Sequence, residues 1–243
     1  MAELGASPFS ITATAAYTIP LGVTSLQVEC RGGGASGSPN GSTTARPGGG
    51  GGGGAYSKRA AIRVIPSKSY TFTVGATVAG SASNNGNPST FTGEDAVTCT
   101  AAGGTSTADR LAGPGGTVAA SIGDAGAIFA GGAGGAASNT SDYGGAGGGE
   151  GGRSGATGGA GSANTTSTGG AGGTGGDGGD GGPGGNNASA GTGGVAPGGG
   201  GGGAGGTNNV SGGGAQGEII VTYTKRTYCG FGGGVAATGS MGF

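Results

Sequence analysis

The chain has 243 residues, 73 of them glycine, with a hydrophobic content of 32% and a formal net charge of −1. With glycine left out, an ordinary globular domain is about 38–43% apolar, so this share is low and a conventional core serves only part of the chain. No basic cluster is longer than Lys58-Arg59 or Lys225-Arg226, which argues against nucleic acid as a partner; no apolar run reaches the ~18 residues of a membrane-spanning helix; and histidine, the commonest metal ligand and neutral-pH base, is absent.

The N-terminal MAELGASPFS lacks a basic region followed by an apolar one, so no secretion signal is expected there. FSITATAAYTIP (9–20) and VTSLQVECR (23–31) follow as strands around a Pro20-Leu21-Gly22 turn. In the second, Leu26, Val28 and Cys30 fall on one side and Ser25, Gln27 and Glu29 on the other. After the glycine run 48–54, AYSKRAAIRVI (55–65) sets Ile62 and Val64 opposite Ala61, Arg63 and Ile65. Residues 66–69 turn the chain into YTFTVG (70–75), and Phe91 with AVTCT (96–100) supplies a further strand. The next comparable run is EIIVTYT at 218–224.

Glycine interrupts every alanine cluster, and no helical period emerges. The expected fold is all-β: a small, jelly-roll-like β-sandwich from residues 1–101 plus 217–224, with a core from Phe9, Ile11, Tyr17, Leu26, Val28, Ile62, Val64, Tyr70, Phe72, Val74, Val97, Ile219 and Val221. Residues 102–216 then form a long glycine-rich insertion, and 225–243 a C-terminal assembly tail.

Between 102 and 216 there is almost no large side chain apart from Leu111, Ile122, Ile128, Phe129 and Tyr143, so hydrophobic burial cannot organise the insertion. Polyproline-II helices packed side by side offer the alternative. They repeat every three residues and point every N–H and C=O at neighbours, and glycine faces let the backbones touch. In GGTGGDGGDGGPGGN (172–186) this geometry puts Thr174, Asp177, Asp180 and Pro183 outward, Asp177 and Asp180 as a solvated acidic stripe. In GGEGGRSGATGGAG (148–161) it puts Glu150, Arg153 and Ala160 outward. The glycine-only runs 48–54 and 198–203 suit interior members of a polyglycine-II-like bundle. Polar turns at 162–168, 186–190 and 207–211 join the segments. Collagen is a poor alternative, because glycine is not at every third place and only nine prolines occur.

G-x-G-x-x-G recurs by chance in such a chain, never between a strand and a helix, and GGGGAYSK (51–58) lacks the Gly-Lys-Ser/Thr ending of a phosphate loop. No converging base and nucleophile stand out, so neither an enzyme nor a cofactor nor a metal site is expected. Cys30 and Cys99 read as small core residues, a disulfide between them being the alternative. Candidate receptor contacts are Asn164, Thr165, Thr166, Asn186, Asn187, Asn208 and Asn209, whose side chains can hydrogen-bond sugar hydroxyls. Tyr228, Phe231, Met241 and Phe243 in the tail are candidates for a subunit contact, or for packing back on the chain itself.

IPLGVTSLQVECRGGGASG (19–37), GGGGGGGAYSKRAAIRVIPSKSYTFTVGA (48–76) and GGGAQGEIIVTY (212–223) resemble the glycine-rich domain of tailed-bacteriophage tail-fibre, adhesin and related virion structural proteins. Pro20, Gly22, Val23 and Thr24 match its first element, and Val64, Pro66, Tyr70, Val74 and Gly75 its second; Ser67 and Lys68 depart from the usual Pro-Gly turn. The resemblance covers residues 10–224. It implies a non-enzymatic structural protein of a phage virion that presents glycine-bundle loops to a bacterial polysaccharide or outer-membrane protein. It also implies other virion subunits as partners and a homo-oligomer, a trimer if a fibre component. A capsid decoration or minor capsid protein, and a subunit of a non-viral extracellular filament, are the alternatives.

Overall fold

The computed structural model describes residues 2–39, 46–138, 145–164, 167–187, 189–206 and 209–226. Its strands are β1 (Ala2–Glu3), β2 (Phe9–Ile11), β3 (Ala15–Thr18), β4 (Ser25–Arg31), β5 (Tyr56–Arg63), β6 (Ser69–Thr73), β7 (Ser89–Thr92), β8 (Thr98–Ala101), β9 (Ile128–Phe129) and β10 (Glu218–Thr222). They form an all-β sandwich of two five-stranded sheets, ordered β1-β3-β6-β7-β8 and β2-β10-β4-β5-β9.

Alternation decides which side chains enter. Along β4, Leu26, Val28 and Cys30 are buried; in the run through β5, Ile62 and Val64 point in while Ala61, Arg63 and Ile65 are exposed. Every residue of the expected core lies in the buried cluster between the sheets or packs against it. Phe72 and Phe91 stack at 4.4 Å between centroids, and Tyr17 meets Phe72 edge-on at 5.9 Å.

The run 9–20 is two strands rather than one. Residues 12–14 carry the chain from one sheet to the other, and the Thr14 hydroxyl accepts the Val74 amide at 3.0 Å in the crossing. A second difference is β9, contributed by the glycine-rich region. Ile128 and Phe129 pair with Ser57 and Tyr56, and the Phe129 ring lies 6.1 Å from that of Tyr56.

Beyond the sandwich the backbone is an array bonded in three dimensions. In 145–152, residues 145, 148 and 151 donate to 185, 182 and 179; residues 146, 149 and 152 donate to 48, 51 and 54; residues 147 and 150 donate to 162 and 159. The carbonyls of the same segment accept from 132–135, 170–173 and 200–203, so it is enclosed on six sides. Each neighbour is met every third residue, the repeat that a threefold extended helix imposes. Residues 48–54 and 198–204 are likewise buried and bonded all round.

Contact this close requires glycine. A Cβ on Gly50 would stand 1.9 Å from the Gly147 carbonyl oxygen, and one on Gly53 1.9 Å from that of Glu150. The outward places follow the triplets: Thr174, Asp177, Asp180 and Pro183 are all exposed. The array also extends beyond 102–216, taking in 32–38 and 48–54, and residues 78 and 84–87 between β6 and β7.

Glu150 is a correction. It does not stand outward but has no exposed surface, because its segment is an interior member of the array. The acidic stripe needs a correction too: Asp180 is solvated, whereas Asp177 pairs with Arg31 at 2.6 Å and accepts the Ser154 amide at 3.2 Å. Arg31 also bonds Glu218 at 2.8 Å and lies over the Tyr56 ring at 5.6 Å, so one buried guanidinium joins the sheet to a turn of the array.

Candidate functional site

The direction of each segment sorts the turns. Segment 32–38 leaves the sandwich from β4 and 48–54 returns to β5; 102–107 leaves from β8 and 211–216 returns to β10. The turns around 117–127, 153–157, 174–177 and 195–197 therefore lie beside the sandwich. Those around 81–84, 106–112, 163–164, 167–168, 186–187, 189–190, 205–206 and 209–210 lie at the far end, with the ends of 136–138 and 46–48.

The far turns brace one another through polar contacts. Asn187 donates its amide to the Ser167 carbonyl at 2.9 Å, and Asn186 Oδ1 accepts the Gly169 amide at 2.9 Å. Ala137 bonds the Arg110 carbonyl at 2.8 Å, Ser83 Oγ donates to the Thr107 carbonyl at 3.2 Å, and Asn85 Oδ1 accepts the Ser106 amide at 2.9 Å. Such short-range bonding holds each turn in register with the stiff segments below it.

The anticipated contact residues divide. Asn186 and Asn187 are exposed, and Asn209 is partly buried with its Nδ2 donating to the Gly205 carbonyl. Asn164 is a correction: it is 9% exposed, and its Oδ1 accepts the Ser138 amide at 2.8 Å, which makes it a brace between turns and not a surface contact. Thr165, Thr166 and Asn208 lie outside the described residues, as do Tyr228, Phe231, Met241 and Phe243.

Arg110 and Leu111 were not singled out as contacts from the sequence. With Ala108, Asp109, Ala136 and Ala137 they line a cavity of about 460 Å³ in the far face. Leu111 is 67% exposed, and the Arg110 guanidinium makes no hydrogen bond or ion pair among the described residues. The signal was present in the sequence as one large apolar residue beside two charges within a polar turn. Asp109 holds its place through its backbone, with φ +60° and a carbonyl that accepts the Gly49 amide at 2.9 Å. Among the described residues no group of three or more metal-ligating side chains occurs, and no helix is long and apolar enough to cross a membrane.

A family model described as a glycine-rich domain matches residues 10–224. The chain belongs to that family. In this glycine-rich domain the match runs from the first sandwich strand of the β2 sheet through the array and just past β10, so sandwich and array fall within one family unit. No curated protein matches the chain.

Proposed function

We propose that this glycine-rich domain is a non-enzymatic structural component of a bacteriophage virion, a tail-fibre or adhesin subunit that presents the far turns of its array to a host surface. The observation that carries the reading is the polarity of the molecule. The polar turns and the 460 Å³ cavity lie at one end of the array. The chain leaves β10 for Arg226 at the other end, where the Arg226 amide bonds the Gly22 carbonyl at 3.1 Å. Leu21 and Ile65, 69% and 44% exposed, sit at that departing end and suit attachment to other subunits.

The threefold bonding period supports reading the segments as polyproline-II helices of the polyglycine kind, a stiff mount for the turns. Preformed turns lose little entropy on binding, so a few hydrogen bonds to sugar hydroxyls yield useful affinity. Asn186, Asn187 and Asn209 supply such groups, and Arg110 with Leu111 supplies a cation beside an apolar surface. On the alternative reading, a capsid decoration protein, the array is a solvated knob and binding resides at the sandwich end.

Binding to lipopolysaccharide purified from a panel of bacterial strains, arrayed on a surface, tests the proposal. The intact protein is compared with one whose 162–168 and 186–190 turns are replaced by Gly-Ser of equal length, and with Arg110→Ala. A loss of tenfold or more in each replacement is expected. Unchanged binding removes these turns from the site, and electron microscopy of particles labelled through this chain separates tail from capsid.

A further inference from the structure

Cys30 on β4 and Cys99 on β8 come from opposite sheets, and both are free thiols without exposed surface. Cys30 Sγ donates to the Cys99 carbonyl at 3.6 Å. Cys99 Sγ lies 3.6 Å from the Val28 carbonyl and 3.6 Å from that of Ser57, the cross-strand partner of Cys30. Each sulfur is therefore lodged against the other's strand.

The sheets converge at this level because they feed the close-packed array. Gly32, two residues beyond Cys30, bonds the Ala55 carbonyl at 2.9 Å, and a Cβ there would stand 2.0 Å from the Ala102 carbonyl oxygen. Side chains between the sheets must be small here, and Ala101 and Ser57 meet that need without sulfur. Two cysteines facing each other across the gap add something alanine cannot: a covalent bond within reach.

We infer that Cys30 and Cys99 close to an inter-sheet disulfide when the folded protein meets peroxide. Cys99 attacks first. The neighbouring Cys30 side chain holds the Cys99 thiol below the usual range, whereas burial holds the Cys30 thiol well above it. A Cys99 S–O bond forms as the peroxide O–O bond breaks, and the departing hydroxide takes the thiol proton and leaves as water. Cys30 sulfur then attacks the Cys99 sulfenic acid; the S–S bond forms, the S–O bond breaks, and the Cys30 proton leaves with the second water. Two electrons pass from the two sulfurs to one peroxide. Access comes through β8, the edge strand of its sheet, which pairs with β7 and, at Thr100, with Ile122.

The experiment is performed on the full folded chain, unmodified and as Cys229→Ser. Each is exposed to hydrogen peroxide, unfolded in alkylating reagent, and mapped by peptide mass spectrometry without reduction. The expected product is one linked peptide pair containing Cys30 and Cys99 in both proteins, reversed by a thiol reductant. Its melting temperature rises by roughly 10 °C, because the bond closes a long loop of the unfolded chain. Recovery of Cys30 and Cys99 as separate alkylated thiols, or of Cys99 as an unlinked sulfinic acid, overturns the inference.

Discussion

Glu150 Oε2 accepts the Gly159 amide at 2.6 Å from a side chain without exposed surface. Further along the same segment Ser162 donates to the Ala171 carbonyl at 2.8 Å, and the register would next pair Gly159 with the carbonyl of Thr174. The carboxylate replaces that carbonyl where the array ends in a turn. Its other oxygen lies 4.0 Å from Arg153 Nε, and Arg153 in turn donates to the Gly175 and Thr157 carbonyls. Glu150→Ala therefore leaves a buried amide without an acceptor and is expected to cost about 1–3 kcal/mol. Glu150→Gln keeps an oxygen in place and costs less, an order that urea unfolding of the two variants checks.

Gly50 and Gly53 face carbonyl oxygens of the adjoining interior segment, and a Cβ at either would stand 1.9 Å away. Backbone on both sides leaves no flexible group to give way. Gly50→Ala is expected to destabilise the chain by more than about 3 kcal/mol through overpacking, whereas Thr174→Ala on the exposed row stays within about 0.5 kcal/mol. Thermal unfolding of both variants separates the interior place from the surface one.

Arg31 is 5% exposed, and its partner carboxylates on Asp177 and Glu218 are 49% and 19% exposed. Half of the Asp177 carboxylate faces water, so Asp177→Asn is expected to cost no more than about 1 kcal/mol and to cost less at high salt. Arg31→Met costs more, because Glu218 then loses its buried cation and Tyr56 the group over its ring. A double-mutant cycle at low and high ionic strength measures the coupling.

Burial pushes the Tyr56 phenol up to about 12, and its hydrogen bond of 2.9 Å to Glu29 works in the same direction. The folded state thus holds this proton more tightly than the unfolded chain, whose tyrosines ionise near pH 10. The resulting stability is complete below about pH 10 and is lost as pH rises toward about 12. Tyr56→Phe should lack this alkaline loss, so the gap in unfolding free energy between the intact protein and the variant narrows from pH 10 to 12. A gap that stays constant over that window would show that the phenol does not carry the effect.

The core was legible because alternation along a half-buried strand leaves a period of two in the residues themselves; Leu26, Val28, Ile62 and Val64 announced their faces before any pairing was known. The outward row Thr174, Asp177, Asp180 and Pro183 was legible for a similar reason, since two glycines in three mark the faces where neighbouring backbone comes close. Glycine carries no label for which backbone is the neighbour. Whether 145–152 lies inside or on the rim is settled by distant segments such as 48–54 and 179–185, and with it the burial of Glu150. The same holds for Arg31 with Asp177, for the bracing role of Asn164, and for the meeting of Cys30 with Cys99. These contacts join residues far apart in the chain, and local pattern has no means of recording them.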